Sequence, residues 1–150
     1  MITITARAGS FESGLMKSLI CFVTSEQDSI VAQVGQMYTV DVAVFMHAAD
    51  FKAHAQSIFA LPVQSAGAVK TLIFAGLGAK KSGVVIDVEL YRRAVGKAIK
   101  FLQSRKIDSG TIIMPDSNLF AVSPQYLAQE TAVIASMAEY HFDEFISSAE

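Results

Sequence analysis

Short apolar runs, each ended by turn-forming residues, are the clearest pattern along this chain. The first run alternates apolar and polar positions, which is typical of a strand with one exposed face, and the second is continuously apolar, which indicates a buried strand. Two later runs are separated by a turn containing Gly67, so we expect them to pair as a hairpin. A last short run stops at Pro115. The pattern predicts strands over residues 2–6, 18–23, 56–62, 69–75 and 111–114.

Three segments have the spacing of helices. Residues 28–47 are mostly helical in pattern, with a break expected near Gly35. The second helix begins after Asp87, which can cap it, and carries acids at its start and bases toward its end, as the helix dipole favours. The third begins at Ser123 as cap, with Pro124 in the first helical position, and runs to about residue 140.

Strands alternating with helices predict an α/β layered domain, and the hairpin predicts a mixed sheet rather than an all-parallel one. Apolar residues make up 52% of the 150 positions and charged residues 17%, a composition that suits a well-filled core. We therefore expect residues 1–150 to form one domain.

Charge and hydropathy exclude several classes of partner. The net charge is −2, and the densest basic cluster lies on one predicted helix, where a solvated face is the expected reading, so no nucleic-acid surface is indicated. No apolar run reaches the roughly 18–20 residues of a spanning helix, which predicts a soluble protein without a membrane partner. The single cysteine, Cys21, lies within an apolar run; we expect a buried, inert thiol and a reducing, cytoplasmic compartment.

The glycines after the fourth predicted strand, Gly76 and Gly78, invite a nucleotide-binding interpretation. The dinucleotide fingerprint needs a third glycine where Lys81 stands. The spacing from Gly78 to Gly83 matches a P-loop, but valines follow in place of the lysine and hydroxyl residue that hold phosphate and magnesium. A plain strand-to-loop turn is the favoured reading, with a phosphate site as the minor alternative.

No set of residues in the sequence has the spacing of a catalytic or metal site. The histidines lack ligand spacing, and the carboxylates show no arrangement that would raise a pKa. Cys21 has no evident histidine partner. The candidates for such roles are His47, His54, His141, Asp41, Asp50, Asp143 and Glu144. The exposed pairs Lys80–Lys81 and Arg92–Arg93 could bind a partner's acids, although a solvated face is the favoured interpretation. We predict no catalytic, cofactor-binding or metal-binding residue in this chain.

Five segments, in order, carry a family resemblance. They are residues 50–51 (Asp-Phe), 57–62 (Ser-Ile-Phe-Ala-Leu-Pro), 72–78 (Leu-Ile-Phe-Ala-Gly-Leu-Gly), 90–98 (Leu-Tyr-Arg-Arg-Ala-Val-Gly-Lys-Ala) and 140–148 (Tyr-His-Phe-Asp-Glu-Phe-Ile-Ser-Ser). Their order and spacing resemble the N-terminal domain of the leucyl (cytosol) aminopeptidase family. The chain departs from the family where Ala53-His54 replace Gly-Lys and where Ile146 replaces a lysine.

The resemblance implies a macro-domain-like three-layer α/β/α sandwich with a mixed β-sheet. It also implies a parent metallopeptidase that removes N-terminal residues from peptides, with its chemistry in a separate C-terminal catalytic domain absent from this chain. That domain would hold two divalent metal ions, zinc, manganese or magnesium, and none of its motifs occurs here. The family further implies a cytoplasmic homohexamer in which this domain serves assembly or access to the active site, with its own C-terminal catalytic domain as partner.

Two other functions stay open. One is a free-standing macro-like module that binds ADP-ribose or another nucleotide, although the Asn-rich ribose loop usual in macro domains is absent. The other is a pure interaction domain without a ligand.

Overall fold

The computed structural model describes residues 3–7, 17–25, 27–65 and 67–149, with the backbone alone at 3–7, 65 and 138–149. Within these residues the chain forms five strands, four α-helices and one 3₁₀ turn. In chain order they are β1 (Thr3–Arg7), β2 (Ser18–Val23), α1 (Ser29–Tyr38), α2 (Val42–Ala48), β3 (Ile58–Ser65), β4 (Ala68–Gly76), α3 (Val88–Ser104), β5 (Ser109–Ile113), the 3₁₀ turn (Ser117–Phe120) and α4 (Pro124–Ala149).

The strands form one sheet in the order β1-β5-β2-β4-β3. The pairs β1–β5, β5–β2 and β2–β4 are parallel, whereas β3 runs antiparallel to β4. The predicted hairpin is confirmed, because the whole of β3 pairs with β4 around Gly67, whose φ of 79° is one that glycine adopts readily. The sheet is therefore mixed, as the sequence predicts.

Each face of the sheet carries its own hydrophobic core. Alternate residues of β2 point to opposite faces, so Ile20 and Phe22 pack with α3 and α4, and Cys21 and Val23 pack with α1 and α2. The helices thus lie in two layers on either side of the sheet. This arrangement confirms the predicted three-layer α/β/α sandwich.

The predicted helix over residues 28–47 is two helices, and the break lies later than expected. α1 ends where Thr39 adopts φ 55°, and the N–H of Val40 returns to the carbonyl of Gly35 at 2.9 Å. α2 then leaves at 113° to α1. The helix does not break at Gly35. Gly35 is instead where the backbone of Val40 packs against α1, since a Cβ there would lie 2.6 Å from the Val40 carbonyl oxygen.

The two late helices begin as the sequence predicts. The Asp87 carboxylate accepts the N–H of Glu89 at 2.9 Å at the start of α3, and the Ser123 hydroxyl accepts the N–H of Tyr126 at 3.1 Å at the start of α4. The end of α4 differs from the prediction, because the backbone stays helical to Ala149. The segment 140–148 that carries part of the resemblance therefore lies on this helix, and its side chains are outside the described ones.

Helix lengths and hydropathy bear on membrane insertion. No single helix among residues 3–7, 17–25, 27–65 and 67–149 is both long and apolar enough to cross a membrane, and α1 and α2 meet that condition only as a bent pair.

A buried hydrogen-bond chain joins α3 to α4. The Tyr91 hydroxyl lies 2.5 Å from Thr131 Oγ1, and the Thr131 hydroxyl donates to the Leu127 carbonyl at 2.7 Å, so Tyr91 is the donor to Thr131. Burial raises the pKa of Tyr91 to about 12, with the Thr131 hydrogen bond opposing the rise, which keeps the phenol neutral. Phe22 packs edge-on to the Tyr91 ring, with centroids 4.8 Å apart, and holds the ring in place.

We predict that Thr131→Val costs more stability than Tyr91→Phe. Tyr91→Phe removes one hydrogen bond and should lower the free energy of unfolding by about 1 kcal/mol, whereas Thr131→Val leaves a buried phenol without an acceptor and should cost about 2–3 kcal/mol. Urea denaturation of both variants and of the double variant measures this. Costs that simply add in the double variant would contradict the coupling, because partners in one network are non-additive.

The end of β4 packs closely against the segment before β3. A Cβ on Gly76 would overlap the His54 carbonyl oxygen and would lie 2.6 Å from Ser57 Oγ and 2.7 Å from the carbonyl carbon of Ala53. The backbone there is cross-linked, since the Gly76 N–H donates to the Ser57 carbonyl at 2.9 Å. Gly76 is required for this close approach of two backbones.

We predict that Gly76→Ala lowers the free energy of unfolding by about 3 kcal/mol or more, because the obstructing atoms are backbone and cannot rotate away. Gly96→Ala is the matched control. The new Cβ at Gly96 would lie 3.7 Å from Ile134 Cγ2, an ordinary contact, and the helix gains about 0.5–1 kcal/mol from the change. Chemical denaturation of both variants tests this, and equal stabilities would refute the packing role of Gly76.

Candidate functional site

A crevice opens at the carboxyl ends of β2 and β5. The two strands pair only at Leu19–Thr111 and Ile20–Ile112, so their ends separate before β2 finishes at Val23. The chain order reverses here, since β4 lies on one side of β2 and β5 on the other. In open α/β sheets such a switch point is the common position of a ligand site.

The crevice encloses about 460 Å³ and takes its walls from four parts of the chain. β2 and the residues after it form one wall, the first turn of α1 another, β5 with the following loop a third, and the loop after β4 the last. The lining residues are Phe22, Thr24, Asp28, Ser29, Ile30, Gln33, Lys80, Ile113, Met114, Pro115, Asp116 and Leu119.

Both carboxylates of the crevice hold their own loops in place. Asp28 accepts the N–H of Thr24 at 2.6 Å, the Thr24 hydroxyl at 2.9 Å and the Ser25 hydroxyl at 3.1 Å, which closes the loop between β2 and α1. Asp116 accepts the N–H of Asn118 at 3.0 Å and caps the 3₁₀ turn. Each carboxylate therefore accepts hydrogen bonds that stabilise its own loop, which leaves fewer free acceptor positions for a ligand.

The remaining polar groups of the crevice suit binding rather than catalysis. Lys80 brings an ammonium from the loop after β4, Ser29 a hydroxyl and Gln33 an amide, and all three are exposed. Among the lining residues no hydroxyl or thiol is hydrogen-bonded to a histidine, so nucleophilic catalysis has no starting geometry here. The arrangement can recognise a small polar ligand with an anionic part.

The glycine turn after β4 does not present its donors to the crevice. The N–H of Leu77 donates to the Val23 carbonyl and that of Gly78 to the Ala53 carbonyl, each at 2.9 Å. Gly78 has φ 91°, a conformation that favours glycine. These two bonds favour the plain strand-to-loop turn at Leu77 and Gly78, because phosphate binding there would need their N–H groups free.

The histidines and cysteine of the sequence analysis occupy separate places. His47 lies exposed in the last turn of α2, and His54 lies exposed before β3, where its carbonyl meets Ser57. The side chain of His141 is outside the described ones. Cys21 is 1% exposed within β2, so the prediction of a buried thiol is confirmed, and burial raises the pKa of that thiol.

The carboxylates of the sequence analysis have structural partners. Asp41 caps α2 by accepting the N–H of Val44 at 3.4 Å, and Asp50 lies 3.6 Å from the Lys52 ammonium. The side chains of Asp143 and Glu144 are outside the described ones. Among the described residues, no group of three or more His, Cys, Asp or Glu side chains could hold a metal ion.

The basic cluster of α3 is only partly a solvated face. Arg92 Nε lies 3.2 Å from Glu130 Oε2 of α4, and both atoms are buried, so this arginine links the two helices. The side chain of Arg92 is 37% exposed, so the expected solvated face holds for it only in part. Arg93 is exposed and lies 3.3 Å from Glu89 in the helix's own preceding turn.

Sequence reasoning did not find the crevice. Two local signals mark its walls: the polar stretch from Thr24 to Asp28 after one apolar strand, and Pro115-Asp116 after another. Their meeting depends on β5 lying beside β2, which neither signal reveals.

Known structures share this fold. The macrodomain of Mycobacterium tuberculosis DarG matches with a TM-score of 0.70 and 10% identity, over 91% of this chain and 92% of that one. The macrodomain of Thermus aquaticus DarG matches with a TM-score of 0.64 and 10% identity, over 89% and 91%. At such identities the likeness shows a macrodomain-like fold alone, as the sequence analysis expected.

An aminopeptidase structure and a sequence family match as well. A mutant (K354E) of tomato leucine aminopeptidase matches with a TM-score of 0.62 and 14% identity, over 92% of this chain but only 28% of that chain. Comparison with curated protein sequences gives no significant match. The family model described as "Cytosol aminopeptidase family, N-terminal domain" matches residues 22–149. The chain therefore belongs to the cytosol aminopeptidase family, as an N-terminal domain of that family.

Proposed function

We propose that this chain is the non-catalytic N-terminal domain of a leucyl-aminopeptidase-like metallo-exopeptidase of the cytoplasm. Its partner is the C-terminal catalytic domain of the same parent, and its role lies in assembly of a homo-oligomer or in access to the active site. The observation that carries the proposal is the family match over residues 22–149. The tomato enzyme supports it, since the fold seen here accounts for 28% of that longer chain.

The parent's chemistry belongs to the catalytic domain under this proposal. Two divalent ions, zinc, manganese or magnesium, would there activate a water molecule and polarise the scissile carbonyl. The described residues of this chain do not fit such a site, because their carboxylates and histidines do not converge. No step of the peptidase reaction is therefore assigned to them.

An apolar stripe on α4 supports a role in assembly. Tyr126, Val133 and Met137 are spaced by seven and four residues, which places them on one side of the helix. Their exposures are 41%, 45% and 48%, although the inner face of the same helix already packs in the core. A second apolar stripe on one helix is the pattern of a helix that packs against a further partner.

We expect purified 1–150 to leave leucyl p-nitroanilide unhydrolysed in the presence of zinc, manganese or magnesium, and to associate in solution. Light scattering after gel filtration should give a trimer or larger species, which Val133→Glu with Met137→Glu dissociates. The control is Ser136→Glu, which adds a carboxylate at an exposed position of the same helix.

Metal-dependent hydrolysis of the substrate by the chain alone would overturn the non-catalytic role. A strict monomer at high concentration would contradict the role in assembly.

We also infer a second candidate function, binding of ADP-ribose or a related nucleotide in the crevice. The observation that favours it is the position of Lys80 beside a cavity of about 460 Å³ at the carboxyl ends of the strands. The ammonium would pair with the diphosphate. The carboxylates of Asp28 and Asp116 oppose an anion, and the three hydrogen bonds that Asp28 accepts stabilise its charge without removing it, so the ligand would have to place its anionic part next to Lys80.

Calorimetric titration with ADP-ribose tests this second function. We expect Lys80→Glu to weaken binding at least tenfold, about 1.4 kcal/mol, and Lys81→Glu, the exposed neighbour outside the lining, to change it less than twofold. A flat titration at millimolar ligand would remove this function, and equal effects of the two variants would place the ligand elsewhere.

A further inference from the structure

The first half of β3 forms an open sheet edge. β3 pairs with β4 alone among the described strands. The Gly76 N–H donates to the Ser57 carbonyl, and this bond fixes which β3 groups face β4. Because the hydrogen-bonded pairs alternate, the N–H groups of Ile58 and Ala60 point away from β4. They offer two donors to an added strand.

Proline limits this edge on its far side. Pro62 is the next residue after Ile58 and Ala60 whose backbone points away from β4. Proline has no N–H, so the outer edge lacks a donor there, whereas the hydrogen bonds between β3 and β4 are unaffected. Proline at such a position is a common protection against unwanted strand pairing. Ile58 and Ala60 are thus the outward donors of β3 that precede Pro62.

A groove runs beside the open part of the edge, under the outer side of α3. It encloses about 640 Å³. Its apolar floor comes from Ile58, Gly96 and Phe101, and its lining is completed by Gln56, Arg93, Lys97, Lys100 and Ser104. The groove therefore combines three cationic side chains, Arg93, Lys97 and Lys100, with an apolar surface that a side chain from an added strand would reach.

The groove carries an excess of positive charge. Arg93 is matched by Glu89 at 3.3 Å. Lys97 and Lys100 are exposed, and no ion pair joins either to a carboxylate within the part of the chain that the structure describes. An occupant that brings carboxylates would complement both lysines.

We propose that this groove binds an extended acidic segment of a partner protein, which adds to β3 as an edge strand. Strands pair about 4.8 Å apart, so the segment would lie between β3 and the open side of the groove. Ile58 and Ala60 face the α3 side of the sheet, and alternate side chains of the segment would do the same. Acidic residues there meet Lys97 and Lys100, and the backbone meets the two free N–H groups.

The geometry favours a peptide over a nucleic acid. Stacking of bases needs an open aromatic face, and the guanidinium of Arg105 lies 5.0 Å from the centroid of the Phe101 ring, over one of its faces. Backbone donors at a sheet edge recognise an extended polypeptide directly.

The first experiment tests the role of charge with two fluorescein-labelled heptapeptides. In one, Asp and Glu alternate with Val, and in the other, Lys replaces the acidic residues. Fluorescence anisotropy with the 1–150 chain should show binding of the acidic peptide alone, weakening with added salt. Lys97→Glu with Lys100→Glu should weaken it at least tenfold. The control Lys52→Glu with Lys81→Glu makes the same charge change at exposed positions outside the groove and should change it less than twofold.

The backbone arm separates strand addition from simple charge attraction. Ala60→Pro removes an outward N–H next to the groove and should weaken binding at least fivefold. Gln64→Pro removes an outward N–H of the same kind beyond Pro62 and should leave it unchanged. Circular dichroism melts verify that each variant is folded.

Three results would overturn the proposal: no binding of the acidic peptide at millimolar concentration, equal binding by Ala60→Pro and the unaltered chain, or tighter binding of a single-stranded oligothymidine that the lysine substitutions abolish. The last would assign the groove to nucleic acid instead.

Discussion

The structure depends on β2, a strand buried on both faces. All six of its residues, Ser18 to Val23, are buried, and none is more than 5% exposed. A strand in that position has no water to satisfy its backbone, so both of its edges must be paired. β4 covers one edge and β5 the other, which obliges the chain to cross the sheet after α3 and insert β5 between β1 and β2. The crevice is a consequence of that crossing, because the inserted strand is too short to follow β2 to its end.

Local chemistry explains what the sequence predicted well. Asp87 and Ser123 cap their helices through hydrogen bonds to residues two and three positions away, so their signals are complete within one turn. The hairpin around Gly67 is equally local, since a tight turn joins strands that are neighbours in sequence. The macrodomain-like sandwich followed from the family resemblance together with these elements, whereas alternation alone indicated only an α/β class.

What the sequence did not reveal depends on contacts between distant residues. The sequence places the break between α1 and α2 near Gly35, but the break arises because Val40 folds back onto Gly35, a contact that no local pattern reveals. The interaction of Arg92 with Glu130 joins two helices and has no local pattern. The crevice combines residues from four segments, so it could not be assembled before the strand order was known.

The glycine turn after β4 links the sheet to the segment that precedes β3. The N–H groups of Leu77 and Gly78 donate to the carbonyls of Val23 and Ala53, and Gly76 lies in close contact with the His54 backbone. The turn therefore locks the 53–57 segment to the sheet, which in turn sets where β3 begins and leaves Ile58 and Ala60 at the open edge. The N–H groups of Leu77 and Gly78 thus serve the fold, whereas those of Ile58 and Ala60 point away from β4. If a partner's strand adds to β3 as proposed, the contacts of the glycine turn are therefore what set the position of the two donors that it would meet.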